Sequence, residues 1–147
     1  EGAMEELTNR IFEKYELAAK NDTMYESYKL EDAKLVLTAF GTVGRVAKAA
    51  VDRAREQGMK VGLFRPITLC PFPDKALNET AQKADMILDL ELNKGQMLLD
   101  VRSAVFGACP VEFFGRTAGG LLTPDMIYSK ITELYKKLEN KTEAGVR

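Results

Sequence analysis

The chain has 147 residues, 46% of them apolar, with 21 basic against 22 acidic side chains and a formal net charge of −1. That is apolar material for one compact domain with a real core, and the balanced charge offers no basic patch for nucleic acid. Histidine is absent, which excludes Ser-His-Asp or Cys-His catalysis and histidine-ligated metals within these residues. The two cysteines, Cys70 and Cys109, form neither a CxxC motif nor a disulfide framework. No apolar run approaches the roughly 18 residues that span a bilayer and no signal peptide is visible, so a reduced, cytoplasmic setting is expected.

In chain order, Glu1-Gly2-Ala3 reads as a tag remnant. From Met4 to about Lys20 the spacing is helical, with Met4, Leu7, Ile11, Tyr15 and Ala18 along one stripe. Two readings stand for this helix: packing on its own domain, or a connector whose stripe meets another body. Tyr25–Leu30 alternates weakly, as a short edge strand would. Leu35–Phe40 is apolar on both faces, as in a strand covered by helices above and below. It breaks at Gly41-Thr42-Val43-Gly44, and a helix over 44–57 follows, closed by Gly58.

A second strand is predicted at Lys60–Phe64. Arg65 to Pro73 holds three prolines, which forbid a regular helix and predict a stiff extended loop. Asp74 to Ala84 is helical, with Leu77, Ala81 and Ala84 inward. Met86–Glu91 is a strand, Leu92-Asn93-Lys94-Gly95 a turn, and Gln96–Phe106 a helix that buries Met97, Leu98, Val101, Ala104 and Val105. Val111–Gly115 is the last strand. Thr123 caps a final helix with Pro124 at its first position, Asp125 near its dipole, and Ile127, Ile131, Leu134, Tyr135 and Leu138 inward. The domain division is therefore a leading remnant plus connector helix (1–24), one α/β domain (25–139) and a polar, fraying tail (140–147).

Strands separated by helices imply right-handed crossovers, a mostly parallel five-stranded sheet with one antiparallel edge, and three α/β/α layers. The expected order sets strand 60–64 beside 35–40, then 86–91, then 111–115. Ligands of open α/β sheets sit at the carboxyl ends of the strands where the order reverses. That crevice would be walled by Gly41, Thr42, Val43, Gly44 and Arg45 on one lip and by Glu91, Asn93 and Gln96 on the other. The first lip suits a phosphate or carboxylate at a helix start, yet it is neither GxGxxG nor a Walker loop, and a tight turn without ligand is the blander reading. For the second lip, ligand contact and helix capping stand level. Asp89, inside an apolar strand, calls for a structural hydrogen bond; a general-acid carboxylate would need a second partner, and none is evident. Arg65, Pro66 and Phe72 on the stiff loop, with Leu7 and Ile11 on the first helix, are the candidate interface residues. Cys109 reads as an inert packing thiol.

Taken together, Ala39-Phe40-Gly41-Thr42-Val43-Gly44-Arg45, Lys60-Val61-Gly62-Leu63-Phe64-Arg65-Pro66-Ile67-Thr68-Leu69 with Pro71-Phe72-Pro73, and Glu91-Leu92-Asn93-Lys94-Gly95-Gln96 form an ordered set. Over roughly Tyr25 to Leu138 it resembles the C-terminal domain of the α subunit of 2-oxoacid:ferredoxin oxidoreductases, of the 2-ketoisovalerate or 2-oxoglutarate type. The proline-rich stretch is the most specific part; Cys70 departs from it, where an aromatic is frequent.

The resemblance implies a transketolase C-terminal-domain fold. It also implies a complex that decarboxylates a 2-oxoacid on thiamine diphosphate and Mg²⁺, forms an acyl-CoA and reduces ferredoxin through Fe–S clusters. It places those cofactors and the catalytic residues outside this chain, leaving none here. The expected partners are the N-terminal domain of the same subunit, the thiamine-binding β subunit and ferredoxin by way of the complex. The expected role is non-catalytic assembly, and the isolated chain is expected to be inactive. Two alternatives stand beside it: a free-standing, flavodoxin-like module that binds a phosphate-containing ligand, and the equivalent domain of transketolase or of a 2-oxoacid dehydrogenase β subunit.

Overall fold

A computed structural model describes the backbone of residues 2–144 and the side chains of residues 2–140. Ten elements follow one another: α1 (Gly2–Asn21), β1 (Tyr25–Tyr28), β2 (Leu35–Ala39), α2 (Gly41–Glu56), β3 (Val61–Pro66), α3 (Asp74–Ala81), β4 (Met86–Glu91), α4 (Met97–Val105), β5 (Val111–Gly115) and α5 (Pro124–Ala144). The sheet order is β1-β3-β2-β4-β5. Only β1 is antiparallel, with Tyr25 opposite Pro66 and Tyr28 opposite Leu63. This is the three-layer α/β fold that the spacing predicted, with the order reversing between β2 and β4.

All of β2 and all of β4 are buried, because helices cover both faces. On one face α2 and α5 bury Ala47, Val51, Ile127, Ile131 and Leu134 against Leu35, Leu37, Leu88 and Leu90. On the other, α3 and α4 bury Leu77, Ala81, Met97 and Val101 against Val36, Phe64 and Ile87. Alternation along the strands decides which side chain goes to which core, and it sends Thr38, Asp89 and Glu91 to the α3/α4 side.

The edge strand is fastened by charge. Tyr28 Oη and Lys29 Nζ donate to Asp52 Oδ1, Arg55 donates to Asp32 and to the Lys29 carbonyl, and Glu26 pairs with both Lys48 and Arg65. Tyr25 stacks on Phe64 at 5.0 Å between ring centroids.

Several boundaries differ from expectation. Helix α2 starts at Gly41, not Gly44, because Gly41 takes a φ of 57° and turns the chain directly from the strand into the helix. Strand β3 extends through Pro66, so Arg65 and Pro66 leave the expected loop and pair with β1; Pro66 sits at the strand end, opposite an edge strand, where a missing N–H is tolerated. Strand β1 ends at Tyr28, short of Leu30, and α3 ends at Ala81, short of Ala84. Phe106 leaves α4 in the left-handed conformation, with φ 48°. Helix α5 runs past Asn140 to Ala144, so the start of the expected polar tail is helical; residues 145–147 lie outside the described residues.

Candidate functional site

The carboxyl ends of β2 and β4 lie side by side, with Ala39 opposite Leu90, and they bring the two predicted lips together. On the first lip Phe40 holds the N-cap position in extended conformation and supplies no side-chain acceptor for the leading amides of α2. Thr42 and Arg45 face solvent, whereas Val43 and Gly44 are buried. Gly44 is explained internally: a Cβ there would lie 2.8 Å from Arg65 Cδ, since the Arg65 side chain crosses the first turn of α2 on its way to Glu26. The glycine therefore answers an arginine of the same chain.

The second lip is satisfied from within. Glu91 is fully buried, and its two carboxylate oxygens accept from the Met97 and Leu98 amides, each at 2.9 Å. A carboxylate at the positive end of α4 completes the orphan donors of its first turn. Burial works to raise the Glu91 pKa, but hydrogen bonds from Asp89 and from these amides outweigh it and hold the group below its ordinary value. Asn93 Oδ1 accepts from the Gly95 and Gln96 amides at 2.7 and 3.0 Å, an Asx turn that leads into α4, while the Gln96 side chain lies in solvent. Of the two readings left level for this lip, the geometry supplies the capping one at Glu91 and Asn93.

Asp89 lies directly behind Glu91. It is fully buried, its Oδ1 accepts from Thr38 Oγ1 at 2.8 Å, and its Oδ2 receives no donor. Burial first, then the neighbouring Glu91 carboxylate, push its pKa up to about 8. Sequence reasoning found the structural hydrogen bond and missed the second carboxyl. The period of two was the available signal, because residues 89 and 91 of one strand must share a face.

The expected docking loop is partly consumed by the fold. Pro66 is buried in β3, Arg65 is ion-paired, and Phe72 is half-buried against the α3/α4 core. Ile67 and Leu69, between them, do face solvent. Helix α1 behaves differently: none of its 20 residues is buried, and Met4, Leu7, Ile11, Phe12, Tyr15 and Leu17 are all exposed. A cleft of about 290 Å³ opens between the β1 margin and α3, with Tyr25, Ser27, Ala33 and Lys83 in its lining and none of the crevice residues among them.

The donor set does not fit the Mg²⁺ or Fe–S clusters that the resemblance implies for the whole complex. Glu91 spends both oxygens on α4, Asp89 is sealed, and Cys109 is a half-buried thiol that burial pushes above its ordinary pKa. Among the described residues, no three His, Cys, Asp or Glu side chains gather as a metal site. No described helix is long and apolar enough to cross a membrane.

A family model described as pyruvate:ferredoxin oxidoreductase core domain II matches residues 33–127. The ketoisovalerate oxidoreductase subunit VorB of Methanothermobacter marburgensis is 43% identical over 131 residues, which cover 89% of this chain and 37% of that protein. The 2-oxoglutarate synthase subunit KorA of the same organism is 32% identical over 101 residues, 69% of this chain and 27% of that protein. The chain thus spans between 27% and 37% of the length of these curated relatives. Among solved structures, 2-oxoglutarate:ferredoxin oxidoreductase from Magnetococcus marinus, with 2-oxoglutarate, coenzyme A and succinyl-CoA bound, superposes with a TM-score of 0.77 at 21% identity, over 92% of this chain and 24% of that one. A split-gene transketolase, an inactive β4 tetramer, gives a TM-score of 0.59 at 17% identity, over 76% of this chain and 41% of that one. These two likenesses concern the fold, which is that of the transketolase C-terminal domain.

Proposed function

Because the chain belongs to the core domain II family of the 2-oxoacid:ferredoxin oxidoreductases, we propose that it is an assembly domain of such an enzyme's α subunit, of the ketoisovalerate type. In this reading the complex converts a 2-oxoacid to an acyl-CoA, with thiamine diphosphate, Mg²⁺ and Fe–S clusters held by other domains and subunits, and passes electrons to ferredoxin in the cytoplasm. This chain alone is inactive. Its work is to hold the N-terminal domain of its own subunit, and through it the thiamine-binding β subunit, in register.

The observation that carries this reading is α1. A 20-residue helix with no buried residue gains little from its own domain, since helix stability in proteins comes chiefly from packing an apolar face. Its exposed stripe, Leu7 and Ile11 at the centre, supplies the apolar area that a neighbouring domain would cover. The second lip points the same way, because Glu91 and Asn93 are engaged in capping α4.

Reconstitution tests the proposal. The chain is fused behind the N-terminal α domain, mixed with the β subunit, and assayed for assembly and 2-oxoacid-dependent reduction of a viologen dye, with and without residues 25–138. Loss of assembly on deletion is expected, and full activity without the domain would overturn the reading. A second reading, a module that binds a phosphate-containing ligand, draws on the uncapped start of α2 beside the exposed Arg45. Titration of the chain with CoA or thiamine diphosphate, followed at the Gly41–Arg45 amides by NMR, decides it: unmoved signals exclude it.

A further inference from the structure

The Thr38, Asp89 and Glu91 side chains are the three fully buried polar groups among the described core residues, and they stand in one row from β2 to the start of α4. Glu91 must be a carboxylate, because both of its oxygens accept from backbone amides. Asp89 stands two residues before that anion on the same face of the buried strand β4, and its Oδ2 is met by no N–H or O–H donor. Two buried carboxylates side by side on one strand face are not both charged without a cation between them. One of them must carry a proton, and Asp89 is the one with an oxygen to spare.

The surroundings offer no alternative neutralisation. Strand β2 presents Thr38, β5 places Phe113 opposite Asp89, and α3 and α4 present Leu77, Ala81, Met97 and Val101 on this face. Glu91 is the charged neighbour. Cys109, the other titratable group packed on this core, stands beside Asp85 and Ile87, towards the opposite ends of the strands.

We propose that Asp89 is held as a neutral acid whose Oδ2 proton is donated to Glu91, and that loss of this proton unfastens the 92–98 segment, making the crevice lip an alkaline switch. The proton passes from Oδ2 to solvent base and leaves two adjacent carboxylates. Thr38 donates to one oxygen of the new anion, the Leu90 backbone favours it weakly, and no donor meets Oδ2. Relief comes by moving Glu91 outward, and Glu91 carries with it the Met97 and Leu98 amides and the Asn93 turn that leads to them. Gly95, with a φ of 95°, stands between that turn and the helix.

The test follows the intact chain by NMR from pH 5 to 10. The Asp89 side-chain ¹³C carboxyl signal is expected to titrate near its raised value, about 8. Over the same interval the protection factors of the Met97 and Leu98 amides, already corrected for base-catalysed exchange, are expected to fall at least about tenfold. In Asp89→Asn, whose amide donates to Glu91 at every pH, protection stays constant within about twofold. Thr38→Val removes the hydroxyl that donates to Oδ1 and moves the Asp89 midpoint higher, which keeps the proposal testable if the asparagine variant does not fold. An Asp89 carboxyl that titrates below pH 5, or protection that does not change through its titration, overturns the proposal.

Discussion

Glu91→Gln is the substitution that interrogates the candidate site most directly. It keeps the size of a side chain that is fully buried and removes the charge that satisfies two amides of α4. The glutamine carbonyl serves one of Met97 and Leu98, and its NH₂ group faces the other donor. Hydrogen bonds to a charged partner contribute about 1.5–3 kcal/mol each, and an orphaned buried N–H costs about 1–3 kcal/mol. Relief from burying a charge offsets part of the loss, so a net destabilisation of about 2–3 kcal/mol is expected. Domain stabilities are about 5–15 kcal/mol, so this is a large fraction. Urea unfolding followed by circular dichroism at pH 7 should show the midpoint falling by roughly 1–2 M at unchanged slope. The pH dependence has a definite sign. The folded-state pKa of Glu91 is depressed, so its stabilisation is complete above the ordinary value of 4.5 and is lost as pH falls through the lower folded value. The gap between wild type and variant therefore closes in acid. A midpoint within about 0.2 M of wild type at pH 7 would refute the assignment of Glu91 as the anchor of α4.

Asp89 has the opposite sign: its folded pKa of about 8 lies above the ordinary 3.8, so stability is greatest in acid and declines as pH rises between those values. Wild type should lose up to about 1.4 kcal/mol per pH unit relative to Asp89→Asn across that window, measured as the difference of two urea titrations. Gly62→Ala should cost about 2–3 kcal/mol in the same assay, because the new Cβ would lie 2.5 Å from the Lys29 carbonyl oxygen, which is backbone and cannot swing aside. Leu77→Ala empties a fully buried position beneath α3 and should cost about 2–5 kcal/mol. Ile11→Glu, on the exposed stripe of α1, should leave the stability of the chain within about 0.5 kcal/mol and abolish co-purification with the N-terminal α domain.

Much of this molecule was legible in its residues. The largely apolar runs at 35–39 and 86–91 demanded a sheet covered on both faces, and the stripes of α2, α4 and α5 told which side chains would cover it, because burial periodicity is a property of the local chain. The motif set that ends in Glu91-Leu92-Asn93-Lys94-Gly95-Gln96 carried the family, and the match over residues 33–127 agrees with it. What depended on partners distant in sequence was not legible. Arg65 was assigned to a loop because its place in β3 depends on pairing with β1 some 40 residues earlier, and Gly44 resembled a phosphate turn because Arg65, which fills its space, is 21 residues away in the chain. Glu91 and Asn93 carried equal weight as ligand contacts and as caps until the sheet placed α4 directly over them. The local hydrophobic pattern determined the layers, since it acts residue by residue, while the strand order followed from crossover rules and the family from the resemblance of the motifs. Tertiary structure alone decided which polar groups were already spent on one another, since a buried hydrogen bond needs two partners and the sequence records only one at a time.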